Sequence, residues 1–130
     1  IEEADAGAAM VMDEPFPDGA AEDWQQLLQV VIDRRVRVYE SLFPLYISPI
    51  WIRQRAGLAE KRQLHGTARR RKRLKEVLPD EVASDETLFE ALDGVLSIEY
   101  WTSLRRDQQL SVEKATKVLI TVVARLTASQ

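Results

Sequence analysis

One histidine and no cysteine stand among the 130 residues of this chain, and that scarcity bounds its chemistry. Thiolate nucleophiles, disulfides and zinc–thiolate sites are excluded. His65 follows Leu64 in a basic stretch, and no further histidine or Gly-rich phosphate loop or nucleophile elbow accompanies it. It reads as a half-exposed surface side chain or as a polar contact in a ligand pocket. No enzyme, cofactor or metal site is expected. Glu99 carries a sharper signal: on a helix it falls near the middle of an apolar arc beside Leu88, Leu92, Val95 and Leu96. A carboxylate buried there must find a partner or shift its pKa upward. Arg35, which interrupts the apolar stripe of an earlier helix, is the expected partner. The pair reads as a buried or interface salt bridge, or Glu99 orients a polar group of a ligand, or it is simply exposed. The run Arg69-Arg70-Arg71-Lys72-Arg73 could suggest nucleic acid. Five consecutive bases on a helix point all around it, however, and form no single contact stripe. A solvated helix, neutralised by acidic N-terminal residues, is the favoured reading.

The elements that must position these residues read as helices throughout. Length predicts one domain with a core large enough to fold unaided. Hydrophobic residues make up 45% and aromatic ones 7%, which points to neither disorder nor a membrane class. No apolar run reaches the roughly 18 residues of a membrane span, and no signal peptide opens the chain. The lack of cysteine fits a reducing, cytoplasmic setting. Net charge is only −3, but from Ile1 to Asp23 eight acids stand without a base. Residues 1–22 read as the end of a linking helix followed by an acidic linker, with a breaker cluster from Asp13 to Gly19. Such a start, without an initiator methionine, is expected of a fragment. The domain proper is expected over 23–130. Trp24, Leu27, Leu28, Val31, Val38, Tyr39 and Leu42 predict an amphipathic helix from about Ala20 to Phe43. Pro44 and Pro49 should kink or break it, leaving Leu45 to Arg55 as a short helix or bent continuation. A further helix is expected from Leu58 to Leu78, stopped by Pro79. No period-two segment is long enough for a strand.

The last two patterns are apolar over more surface than one core needs. From Ser84 to Arg106, with Ser84 or Asp85 as cap, eight apolar residues from Leu88 to Tyr100 sweep roughly 200°, twice the width of an ordinary surface stripe. Trp101 and Leu104 lie outside even that arc. Ser111 caps the final helix, in which Val112, Ala115, Val118, Leu119, Ile120, Val122, Val123 and Leu126 again cover roughly 200°. Two such helices predict a hairpin packed on its own domain on one side and on a twin hairpin on the other, a four-helix bundle between subunits. The expected homodimer contacts are Leu88, Val95, Thr102, Val112, Leu119, Val122, Val123 and Leu126. A larger intramolecular core is the alternative.

This order of features resembles the C-terminal, effector-binding half of the TetR/AcrR family of bacterial transcriptional repressors. The resemblance is carried by Pro17-Asp18-Gly19, by Arg34-Arg35-Val36-Arg37-Val38-Tyr39-Glu40 followed by Pro44, and by Leu88-Phe89-Glu90-Ala91-Leu92. Tyr100 to Gln108 and the Leu110-Ser111 opening of the last helix complete it, so that it covers about residues 13 to 128. It implies a helical domain that dimerises through its last two long helices and binds an unidentified small apolar or amphipathic effector between helices. The candidate lining is Tyr39, Phe43, Ile47, Trp51, Leu64, Ala68, Leu92, Leu96 and Tyr100, with Glu99 as the polar contact. It also implies an N-terminal helix-turn-helix domain, absent from this sequence, so DNA contact is not expected of these 130 residues. A nucleic-acid-binding module using residues 69–73 and a purely structural interaction domain are the competing readings.

Overall fold

Asp23 opens the first helix, its carboxylate accepting the Gln25 amide at 2.9 Å, and α1 runs Trp24–Tyr46. The computed structural model describes residues 14–16, 23–50 and 59–128, with the side chains of 59–66 outside that description. Pro44 lies inside α1 and does not break it. Its missing amide leaves out one hydrogen bond near the helix end, and the next turn closes through the Ile47 amide on the Phe43 carbonyl at 3.2 Å. There follow α2 (Ala59–Val77), a single turn α3 (Asp80–Ala83) behind Pro79, α4 (Glu86–Val95), α5 (Ile98–Thr102), a π turn (Ser103–Asp107) and α6 (Val112–Thr127). The fold is all-α, as expected: six α-helices and no strand among the described residues. No helix among them is long and apolar enough to cross a membrane.

The expected single helix from 84 to 106 is broken. Asp85 caps its start, as anticipated, by accepting the Leu88 amide at 3.1 Å. The helix then stops at Val95 and restarts at Ile98. Ser97 makes the restart: its hydroxyl donates to the Gly94 carbonyl at 2.7 Å and accepts the Tyr100 amide at 3.1 Å. That amide is the one the Leu96 carbonyl would have used in an unbroken helix.

At the other end of α5 the chain widens into the π turn, and the Gln108 amide reaches the Ser103 carbonyl at 3.0 Å. Gln109 then adopts φ 55°, the left-handed conformation that normally terminates a helix with glycine. Gln109→Gly should therefore raise stability by about 0.5–1 kcal/mol in urea unfolding, whereas a loss would mean that the Gln109 side chain contributes more than its backbone strain removes.

The core sits where α1 crosses the α4–α6 unit and is closed by α2. Leu28, Val31, Ile32, Val38 and Tyr39 from α1 meet Leu74 and Val77 from α2, Val82 from α3, and Phe89, Leu92, Leu96, Trp101 and Leu104. In α6 the buried stripe is only Ala115, Leu119 and Val123, at i, i+4 and i+8. Three of the residues expected between subunits thus belong to the chain's own core: Thr102 and Leu119 at 2% exposure and Val123 at 4%. The arc drawn for α6 is wider than the stripe the core covers. Leu88, Val95, Val118, Val122 and Leu126 remain half-buried on its flanks, and Val112 is exposed.

Candidate functional site

Two polar assemblies join α1 to the broken helix. In the first, Arg35 donates to the Leu96 carbonyl at 3.0 Å and the Tyr39 hydroxyl donates to the same oxygen at 2.7 Å. The second guanidinium nitrogen of Arg35 donates to the Arg70 carbonyl at 3.1 Å, which brings in α2. Arg35 and Tyr39 are both 2% exposed. Burial pushes the Tyr39 phenol above its ordinary value, against the opposing charges of Arg35 and Arg70, so it stays neutral and acts as a donor. The expected Arg35–Glu99 salt bridge does not form: Arg35 is satisfied by carbonyl oxygens. Glu99 is exposed, because the break at Ser97 resets the rotation of the helix.

In the second assembly Glu40 accepts the Trp101 indole N–H at 3.0 Å and a fork from Arg105, at 3.2 Å from Nε and 2.7 Å from Nη2. Arg105 also donates to the Leu110 carbonyl at 2.8 Å, just before α6, and lies 5.2 Å from the Phe43 ring centroid. One carboxylate thereby fixes α5, the π turn and the entry to α6 against α1. Its partial burial alone would raise the Glu40 pKa, but the hydrogen bonds from Arg105 and Trp101 outweigh it and hold the carboxyl below its ordinary value. Sequence reasoning did not pair these residues. The available signal was Trp101 and Leu104, large apolar side chains left outside the predicted apolar arc; both are 1% exposed.

Of the expected ligand contacts, those among the described residues lie in unlike surroundings. Leu92 and Leu96 are buried with Tyr39 in the core. Phe43, Ile47 and Tyr100 are half-buried, and Ala68 is exposed. Trp51 and the Leu64 and His65 side chains lie outside the described residues, so the pocket wall expected over 45–55 is described only in part. Two grooves open to solvent are present. One, of about 620 Å³, runs along α2 past Thr67, Ala68, Arg71, Lys72, Lys75 and Glu76. The other, of about 350 Å³, lies between α1 and α6 over Leu28, Ile32, Ile120 and Val123.

Members of the basic run are engaged within the fold. Arg71 pairs with Glu90 at 2.6 Å and Asp93 at 2.9 Å, and its guanidinium lies 5.0 Å from the Phe89 ring centroid. Arg73 pairs with Glu76 at 3.4 Å. The acids opposite Arg71 come from α4, where N-terminal acids had been expected. No family model, curated protein or solved structure matches this chain.

Proposed function

We propose that the chain is the ligand-sensing and dimerisation domain of a TetR-type transcriptional regulator. The observation that carries this reading is the apolar surface left on α4 and α6 after the core has formed. Leu88 and Val95, seven residues apart, share one face of α4, and Val118 and Val122 share one face of α6. All four remain half-buried in a single chain: Leu88, Val95 and Val118 reach its core with part of their surface, and the rest stays open to a partner. Two of the stretches that carry the family resemblance, 34–40 and 100–108, also meet through Glu40, Trp101 and Arg105, which supports treating them as one unit. In this reading a second copy covers the α4–α6 faces, and an apolar or amphipathic effector enters between α1, α2 and the segment beyond α1. DNA contact belongs to a helix-turn-helix unit outside this sequence. The effector biases the relative placement of the two subunits.

Sedimentation equilibrium over a wide concentration range tests the association. A tight dimer is the expected result; a monomer at high concentration overturns the reading. A dimer that gains no thermal stability from a broad panel of apolar and amphipathic compounds would reduce it to structural association.

A further inference from the structure

Residues 14–16 occupy a seat made jointly by α1 and α2. Arg34 of α1, only 7% exposed, forks onto two successive carbonyls, donating to that of Glu14 and, at 2.6 Å, to that of Pro15. Arg73 of α2 donates to the same Glu14 oxygen at 3.3 Å. The Phe16 ring lies against both guanidinium groups, its centroid 5.0 Å from Arg34 and 4.5 Å from Arg73. The seat is chemically incomplete in two ways. The Arg73 Nε–H is buried and meets no acceptor. Two cations also converge on neutral oxygens, and among the described residues the carboxylate within reach of them is that of Glu76, exposed and 3.4 Å from Arg73. A guanidinium fork binds a carboxylate more strongly than it binds two amide carbonyls. Glu14 and Pro15 are exposed, Phe16 is half-buried and all three stand outside any helix, so no helix has to unwind to vacate the seat.

We infer that Arg34 and Arg73 form a binding site for an aromatic carboxylate, and that residues 14–16 are its built-in competitor. The carboxylate takes the Arg34 fork and supplies the missing counter-charge, while the ring takes the place of Phe16 against the two cations. The backbone N, Cα and Cβ of Phe16 separate the Pro15 carbonyl from the phenyl ring. The chain between carboxylate and ring in 4-phenylbutanoate has the same length, which makes that acid the probe. The seat lies about three turns back along α1 from its end at Tyr46, away from the segment beyond α1. The inference therefore goes beyond the proposed function and requires no second copy.

Isothermal titration of the full chain tests it. Phe16→Ala, which removes the competing ring, is expected to bind 4-phenylbutanoate about tenfold more tightly than the parent. Adding Arg73→Gln to Phe16→Ala should weaken that binding about tenfold. Both 4-phenylbutanamide, which lacks the charge, and 4-cyclohexylbutanoate, which lacks the aromatic face, should bind more weakly than the acid. No saturable binding to Phe16→Ala, or equal affinity in Phe16→Ala and the parent, overturns the proposal. Binding that Arg73→Gln leaves unchanged overturns it too, by placing the acid elsewhere on the chain, and leaves the effector reading standing. An amide that binds as tightly as the acid overturns the ligand class. Should Phe16→Ala lose its far-UV helical signal, Phe16→Leu, which keeps apolar bulk without the ring, takes its place in the same comparison.

Discussion

Leu119→Arg is expected to abolish the folded state, while Val122→Glu leaves a folded monomer. Leu119 is 2% exposed and packs in the middle of the α6 stripe. Removing its side chain alone costs about 2–5 kcal/mol. Placing an unpartnered guanidinium there adds several more, which together match the roughly 5–15 kcal/mol that holds a domain together. Far-UV circular dichroism should show loss of the cooperative thermal transition. A helical, cooperatively melting Leu119→Arg protein would mean that α6 does not pack as described. Val122 lies three residues along the same helix but on its half-buried flank, where a carboxylate can reach water. Its predicted effect falls on association: sedimentation should give a monomer that melts within about 1 kcal/mol of the parent, as flank substitutions do. A Val122→Glu dimer would place the contact between copies elsewhere.

Glu40→Ala is expected to lower stability by about 3 kcal/mol, because it strands a buried indole N–H and half-buried Arg105 together. Glu40→Gln should do less damage, about 1–2 kcal/mol, since its amide oxygen still accepts one donor while the charge opposite Arg105 is lost. The two variants differ in pH response as well. The folded-state pKa of Glu40 lies below its ordinary value, so the carboxylate's contribution is fully present above the normal carboxyl range. It is lost as the pH falls through the folded value. Urea unfolding of the parent and Glu40→Gln should therefore diverge at neutral pH and converge in acid. Parallel curves at all pH values would show that the ion pair with Arg105, 22% and 29% exposed on its two sides, is screened to insignificance.

The features legible in the sequence are those set by near neighbours. Asp85, Ser111 and Pro79 mark helix ends through atoms three or four residues away, and they stand where the pattern places them. The features missed depend on partners far along the chain. The break after Val95 is stabilised by Arg35 and Tyr39, which reach the Leu96 carbonyl from 61 and 57 residues away. A helical projection that advances steadily at about 100° per residue cannot see it. Beyond the break the projection is out of phase, so Glu99 was placed in the apolar arc and Trp101 and Leu104 outside it, the reverse of the structure. Pro44 was expected to kink or break the helix, and it lies close enough to the end of α1 to be accommodated within it. Of the candidate site, Arg35 and Tyr39 were singled out in the sequence, each for another role, and Glu40 stood only within the 34–40 stretch. Their partners were not, because backbone carbonyls leave no trace in a sequence.

The Leu96 carbonyl has one more consequence. In an unbroken helix, bending at this point would require breaking a backbone ladder. Here the ladder is already open: the oxygen belongs to the link between α4 and α5, while both groups that bind it belong to α1. The join between α4 and α5 is therefore held by side chains: the Ser97 hydroxyl, which ties the Gly94 carbonyl to the Tyr100 amide, and Arg35 and Tyr39 of α1. Residues 96–97 thus form a helix break whose free carbonyl is claimed by α1.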